Sequence, residues 1–175
     1  MLSRDTILYA EVVTGELQYR GLSELRDTVE HIYRSLDAKT EKKGLEELDH
    51  AFEHLRRGAV ESIQSASTKI FFETLKSIKI PNIALKITGL DVPDNNKVRK
   101  LRMGAMKDII NGRSAKSSSK TWVNSIQSFK DCIHKCHKLQ DMFPTRAKVR
   151  YSVLMILFGI ITTISLILYI FDIPF

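Results

Sequence analysis

The sequence predicts a mainly α-helical protein: a small bundle of about four cytosolic helices, with a possible short β-hairpin at the N-terminus, followed by one C-terminal transmembrane helix. Three observations support this fold class. The last long stretch of the chain carries no charge, and apolar residues over most of the preceding chain recur in steps of three and four. A strand-like alternation is confined to two short segments.

The clearest element is the segment 151–171, YSVLMILFGIITTISLILYIF. It holds 21 residues without a charge, and 13 of them are Leu, Ile, Val or Phe. As a helix it would cover roughly 31 Å, about the thickness of the bilayer's hydrocarbon. Those apolar residues favour insertion by roughly 4 to 8 kcal/mol in total. We therefore expect one integral span, with residues 172–175 as a lumenal tail.

The flanks of this segment predict its orientation. A basic collar at 144–150 contains Arg146, Lys148 and Arg150, and basic residues beside a span stay cytoplasmic. The N-terminal residues do not have the pattern of a signal peptide. We expect a tail-anchored protein with a cytosolic N-terminus. The long, Ile- and Leu-rich span, followed by Asp172, favours the endoplasmic reticulum over the mitochondrial outer membrane.

Charge is distributed unevenly along the predicted cytosolic domain, residues 1–143, and its collar. Residues 1–80 carry 12 Lys and Arg against 14 Asp and Glu, whereas residues 81–150 carry 15 against 5. The basic part therefore adjoins the bilayer, whose cytoplasmic face holds anionic lipid. The two cysteines of a cytosolic chain do not indicate a disulfide framework.

Two segments have strand-like sequences. Residues 6–20 place β-branched and aromatic residues on either side of Thr14-Gly15, which suits a hairpin turn or, alternatively, an irregular helical lead-in. Residues 82–93 alternate at Ile83, Leu85 and Ile87, which suits a short strand or a loop.

Two helices joined by a short link are predicted between residues 22 and 79. Ser23 is the expected N-cap of the first and Thr40 of the second, which should run over about 41–79 and end before Pro81. The apolar stripe of the first helix comprises Leu22, Leu25, Val29, Ile32 and Leu36. The interaction stripe of the second comprises Leu45, Leu48, Phe52, Leu55, Ile63 and Ile70. Such helices form an antiparallel hairpin within one chain, or dimerise through the same stripe.

A basic helix is predicted from Asp94 to Ile110, with Asn111-Gly112 as its stop. Its candidate lipid-binding residues are Lys97, Arg99, Lys100, Arg102 and Lys107. Basic amphipathic helices bind anionic headgroups, although solvated surface charge gives the same pattern. Nucleic-acid binding is not expected, because the chain has neither an aromatic RNA-binding motif nor a zinc-finger spacing. A Ser/Lys linker at 113–120 and a fourth helix at 121–143, ended by Pro144, complete the domain.

No catalytic motif is recognisable, so we expect a protein that is not an enzyme and needs no cofactor. One set of metal-ligating residue types is present. His50 and His54 are four residues apart on the long helix, and Cys132 and Cys136 on the fourth. Residues so spaced share a helix face, so two facing helices could supply a tetrahedral zinc site. Chance pairs of this kind are common, and Cys136 also fits the apolar stripe.

The size, the helical content and the C-terminal anchor are similar to those of Bcl-2-like apoptosis regulators, which bind amphipathic helices. Their Asn-Trp-Gly-Arg signature is absent, since Asn111-Gly112-Arg113 lacks the tryptophan. The sequence predicts instead a membrane adaptor that self-associates or recruits a protein partner. A Bcl-2-like regulator and a membrane-tethered RNA-binding protein are the alternatives.

Overall fold

The computed structural model describes residues 2–80, 82–116 and 120–170, and all regular structure in these ranges is helical. The helices are α1 (Leu2–Thr14), α2 (Tyr19–Leu36), α3 (Glu41–Ser77), α4 (Asn82–Ile87), α5 (Asn95–Ala115), α6 (Trp122–Asp141) and α7 (Arg146–Ile170). The predicted helical class is confirmed, with six helices in the described ranges before α7. The expected lumenal tail at 172–175, Pro81 and residues 117–119 of the linker lie outside the described residues, whereas Ser114 of the predicted linker lies in α5.

Helix α3 is the long central helix of the fold. Its 37 residues extend over about 55 Å. It begins where the sequence predicts, because the Thr40 side chain accepts a hydrogen bond from the Lys43 backbone N–H at 3.3 Å. It ends at Ser77, two residues before the predicted end. Helices α1, α2, α5 and α6 all pack against it.

The core lies between α1, the C-terminal half of α3, α5 and α6. Phe129 of α6 is fully buried and contacts α5 where Gly112 leaves space for its ring. A Cβ atom at Gly112 would lie 2.8 Å from the ring carbons Cε1 and Cζ of Phe129. The Ser125 hydroxyl donates to the Gly112 carbonyl at 2.7 Å in the same place. The prediction that Gly112 ends the helix is therefore wrong: α5 continues to Ala115, and this glycine permits close helix packing.

The possible N-terminal β-hairpin is also wrong, because residues 2–14 form α1. Packing on α3 outweighs the strand propensity of these residues: Ile7 and Ala10 are buried there. The Thr14 hydroxyl is bonded within the helix, donating to the Ala10 carbonyl at 2.7 Å. Gly15 has the positive φ expected of a turn, +66°, but it caps α1, since its N–H donates to the Glu11 carbonyl.

Residues 82–87 form α4 rather than a strand. Gly89 explains the short length of this helix, because it has φ +66° and donates its N–H to the Lys86 carbonyl. The Leu90 N–H donates to the Leu85 carbonyl at 3.0 Å, which completes a Schellman motif. Leu85 is fully buried whereas Ile83 and Ile87 are exposed, so the alternating pattern did not mark one buried strand face.

The start of α2 also differs from the prediction. This helix begins at Tyr19, four residues before the expected cap at Ser23, and Gln18 occupies the N-cap position without a side-chain cap bond. A glutamine there indicates that tertiary contacts, rather than capping, set this boundary. The Gln18 N–H donates to the Glu11 carboxylate at 3.1 Å, which ties the start of α2 to α1.

Helix α7 begins at Arg146, so the collar around Pro144 is partly the first turn of a helix rather than only a link. The Arg146 guanidinium donates to the Lys76 carbonyl at the end of α3, at 2.6 Å. Within Trp122–Ile170, one stretch is apolar enough to cross a membrane, and none of it is buried. This stretch belongs to α7, because α6 is charged and partly buried. By length and composition α7 is able to cross a membrane.

Candidate interaction surface

The apolar stripe of α3 has two different environments. In the C-terminal half Ile63 is fully buried and Ile70 is 4% exposed, because α1 and α6 cover them. Leu55 is partly buried between the two halves. In the N-terminal half the same stripe is open, and Leu48 and Phe52 are 46% and 51% exposed. The predicted interaction stripe is thus half core and half surface.

Helix α2 carries a second exposed stripe. Val29 is 65% exposed and Leu36 is 82% exposed, and Leu22 and Ile32 are also exposed. Only Leu25 of the predicted stripe is partly buried. The prediction of an antiparallel hairpin implied that the apolar stripe of α2 packs on α3. The structure shows instead that this stripe is exposed and does not form the contact.

Small and polar side chains form that contact instead. The Glu24 carboxylate bonds His54 Nδ1 at 2.7 Å, and the Glu47 carboxylate bonds His31 Nδ1 at 2.7 Å. The helices also meet at Gly58, where a Cβ would lie 3.0 Å from Glu24 Cβ and 3.4 Å from the Gly21 carbonyl. The two hydrogen-bonded pairs have residue numbers that sum to 78, the Gly21–Gly58 contact sums to 79, and the Glu24–Gly58 approach one turn away sums to 82. Such nearly constant sums show that the two helices are antiparallel.

The two exposed stripes lie on the same side of this hairpin. Each stripe residue follows a residue of the α2–α3 contact, as Val29 follows Thr28 and Phe52 follows Ala51. One position is a rotation of 100° about a helix, and equal rotations on antiparallel neighbours point to one side. We call this surface the hairpin face. It consists of Leu22, Val29, Ile32 and Leu36 of α2 and Leu45, Leu48 and Phe52 of α3.

The hairpin face continues directly from the core. Trp122, the first residue of α6, packs edge-on against Phe52 with ring centroids 6.4 Å apart. Beyond this contact the described part of the chain provides nothing to cover α3. The exposed apolar surface therefore begins where the cover provided by α6 ends, at Trp122.

The predicted zinc ligands are not brought together. His50 and His54 lie in the α2–α3 contact, where the ring of His31 is 5.4 Å and 5.0 Å from theirs. Cys132 and Cys136 lie in the core near Thr74, twenty residues and about 30 Å farther along α3. Among the residues that the structure describes, no three His, Cys, Asp or Glu side chains are placed to hold one metal ion.

The two thiols are part of the apolar core. Both residues are fully buried, and the cysteines are free. Hydrogen bonding with Cys136, together with burial, raises the pKa of the Cys132 thiol. A thiol that stays protonated is neither a good nucleophile nor a metal ligand, so Cys132 acts here as a small hydrophobic residue.

The predicted lipid-binding residues lie on α5, and all five are exposed: Lys97, Arg99, Lys100, Arg102 and Lys107. None of them forms an ion pair with a described residue. By contrast Lys135 of α6 pairs with Asp108 and lies over Gly104, which fixes α5 and α6 as antiparallel neighbours. The N-terminal end of α5, with Lys97 and Lys100, therefore lies beside the end of α6 from which α7 departs.

The anchor flank lies at the same end of the bundle. Arg146, Lys148 and Arg150 are exposed on the first turns of α7, and Arg146 contacts the C-terminal end of α3. The hairpin face lies at the opposite end of α3. Basic charge and apolar surface are thus separated along the length of the molecule.

A groove between α2, α3 and the end of α5 is mainly polar. It has a volume of about 550 Å³ and is lined by Arg20, Glu61, Lys69, Arg113 and Lys116, among others. Acidic and basic groups alternate in it, and Arg20 and Glu61 approach to 3.8 Å. Phe72 is the one apolar side chain among its nine lining residues, so it lacks the continuous apolar surface that receives an amphipathic helix.

The chain matches no protein-family model, no curated protein and no solved structure. A proposal for its function therefore rests on the geometry of the chain itself.

Sequence reasoning missed two parts of this surface. It placed the α2 stripe inside the hairpin, although the histidines and carboxylates at matching positions of both helices could have indicated a polar contact there. It also missed His31 as the neighbour of His50 and His54, because His31 lies on a different helix.

Proposed function

We propose that this protein is a non-enzymatic adaptor held by α7 in an intracellular membrane, with helices α1 to α6 in the cytosol. The observation that carries the proposal is the exposure of α7: it is 25 residues long and none of its side chains is buried by the rest of the chain. Apolar helices of this length find a stable environment in hydrocarbon. The endoplasmic reticulum is the membrane favoured by the composition of the span.

The basic end of the bundle supports a peripheral contact with lipid. Lys97 and Lys100 lie near the start of α7 and have no acidic partner among the described residues. Each Lys or Arg near an anionic surface contributes about 1 kcal/mol of attraction. The opposite end, with the hairpin face, is then directed away from the bilayer toward the cytosol, where it self-associates or recruits a protein.

Alkaline carbonate extraction of the full-length chain from cell membranes tests the anchor. The parent protein should stay in the membrane pellet. Lysines at the centre of a span cost about 2.5–3.5 kcal/mol each, so two would roughly cancel the insertion energy and three exceed it. The variant Leu157→Lys/Ile161→Lys/Ile164→Lys should therefore be released into the supernatant.

The control variant changes exposed positions outside α7, as Val12→Lys/Met103→Lys/Met106→Lys. It should remain in the pellet, because its span is intact. Release of the parent protein by carbonate, or retention of the three-lysine variant, would show that α7 is not an integral anchor. Microscopy of the tagged parent then distinguishes the endoplasmic reticulum from the mitochondrial outer membrane.

A further inference from the structure

The hairpin face resembles the inner surface of a helix bundle from which the facing helices are absent. It presents seven exposed apolar side chains on two antiparallel helices, all to one side. It continues a stripe that α6 covers in the other half of α3, so its shape already suits helical neighbours. Two further helices laid across it would complete a four-helix arrangement.

We propose that the occupant of the hairpin face is the hairpin face of a second copy of this chain. The dimer would have a two-fold axis parallel to α3. This inference rests on the proposed membrane anchor, because the axis places both α7 helices at the same end, where they can enter one bilayer. Each α2 then lies over the α3 of its partner, at the same height as in the intramolecular hairpin.

The charges at the edges of the face favour this axis. Helical positions place Arg26 and Asp37 on the outer edge of α2, and Lys42 and Glu53 on the outer edge of α3. With numbers summing to 78 or 79, Arg26 of one copy lies beside the partner's Glu53. Asp37 likewise lies beside the partner's Lys42. Opposite charges thus meet at both ends of the face, where Arg26 also pairs with Asp27 and Glu53 with Arg56 inside each copy.

One like-charged pair, Glu30 beside the partner's Asp49, remains near the middle. Glu30 is paired with Arg34 of its own helix, so intrahelical pairs reduce this repulsion just as they reduce the attraction between Arg26 and Glu53. The Asp37–Lys42 pair and the common direction of the two anchors therefore carry most of the preference for this axis. The other simple axis, perpendicular to the helices, is worse. It would place α3 against α3, with Asp49 beside the partner's Asp49 and Glu46 beside the partner's Glu53. That arrangement would also direct the two anchors to opposite ends.

The size of the face explains why the anchor matters. Fifteen residues of α2, from Leu22 to Leu36, extend over about 22 Å, and two helices side by side are about 20 Å wide. The projected area of about 450 Å² is below the roughly 800 Å² of accessible surface that each partner buries in a typical specific complex. Association of free domains would be weak. Confinement to one membrane raises the effective concentration and compensates for this.

The test uses the full-length chain, labelled with one fluorophore and reconstituted in phosphatidylcholine vesicles. Carbonate-resistant integration is confirmed first, so that a failed anchor is distinguished from a failed dimer. The fraction of dimers is then counted by single-molecule photobleaching as the surface density of protein rises. The parent should change from monomer to dimer with density and form no larger species, since a closed two-fold interface is saturated by one partner.

The variant Val29→Glu/Leu48→Glu should need at least about tenfold higher density to dimerise, equivalent to about 1.4 kcal/mol. The matched control Val12→Glu/Met103→Glu changes two exposed apolar residues off the face and should dimerise like the parent. Circular dichroism of each variant verifies that it remains helical.

Charge reversal tests the axis. Arg26→Glu and Glu53→Arg should each weaken dimerisation, and the double variant should recover most of it. An integrated parent that stays monomeric at every density would overturn the inference. So would a Val29→Glu/Leu48→Glu variant that dimerises as the parent does, since the contact would then lie elsewhere. If the double charge reversal restores nothing, the proposed axis is wrong.

Discussion

The two halves of α3 have apolar residues at the same spacing but opposite environments. Both carry an apolar stripe of the same helical spacing, but the C-terminal half is enclosed by α1, α5 and α6, whereas in the described chain the N-terminal half packs mainly on α2 and meets α6 at Trp122. The contact with α2 uses histidine, glutamate, threonine and glycine, and leaves the apolar side chains outside. Helical spacing of apolar residues thus indicates a surface that is suited to packing. It does not indicate whether another part of the same chain covers that surface.

Truncation of one phenylalanine in each half gives the largest expected contrast. Phe129→Ala removes a fully buried ring and should lower the free energy of unfolding by about 3–5 kcal/mol. Phe52→Ala removes a half-exposed ring whose described ring contact is the edge-on one with Trp122, and should cost about 1 kcal/mol. Urea unfolding in detergent micelles, followed by circular dichroism, measures both. Equal losses would contradict the difference between the halves.

A methyl group added to a glycine tests the tightness of packing in the enclosed half. Gly112→Ala places Cβ against the buried Phe129 ring, so it should destabilise by about 1–3 kcal/mol despite the better helix propensity of alanine. Gly104→Ala on the same helix meets only the movable Lys135 side chain, at 3.3 Å. It should be neutral or stabilise by up to about 1 kcal/mol. Thermal unfolding distinguishes the two, and a destabilisation of the same size in both would refute the packing argument.

The smallest expected effect is electrostatic and lies in the open half. The hydrogen bond from His31 lowers the pKa of Glu47. A carboxylate with a lower pKa in the folded state stabilises the fold above its unfolded pKa, about 4.3 for glutamate. That contribution is lost as the pH falls through the lowered pKa. Glu47→Gln should therefore reduce the melting temperature slightly at mildly acidic pH, and the difference should vanish in stronger acid.

Replacing the exposed Glu46 beside it serves as the control for this pH profile. Glu46→Gln should show no such convergence with the parent, because no described group pairs with Glu46. A Glu47→Gln variant with a constant deficit at every pH would mean that the side chain contributes through packing rather than through its charge.

The sequence predicts the helices α3 and α6 to within two residues, because seven or more apolar positions repeat in each and threonine or proline marks the ends. The sequence does not predict the secondary structure correctly where tertiary packing or a single glycine determines it. Ile7 and Ala10 become helical because α3 covers them, which no local pattern in residues 6–20 reveals. Gly89 can mark the end of a helix, but the alternation before it suits a strand or a loop, and neither alternative is the helix that forms.

The candidate surface was predicted only in part for a related reason. Periodicity identifies Leu45, Leu48 and Phe52 as one face, yet it cannot show that α6 begins too far along α3 to cover them. Nor can it show that Gly21 and Gly58 bring α2 close enough for a polar contact. Both facts depend on how helices of different lengths align, which is a property of the assembled bundle.

The length of α3 determines how far the hairpin face lies from the start of α7. Its C-terminal end is tied to the first residue of α7, and its other end stands about 55 Å away. With α7 in a bilayer as proposed, and α3 directed away from it, a molecule bound at that end would lie up to about 55 Å from the headgroups. Membrane neighbours with shorter cytosolic parts would then not reach the hairpin face.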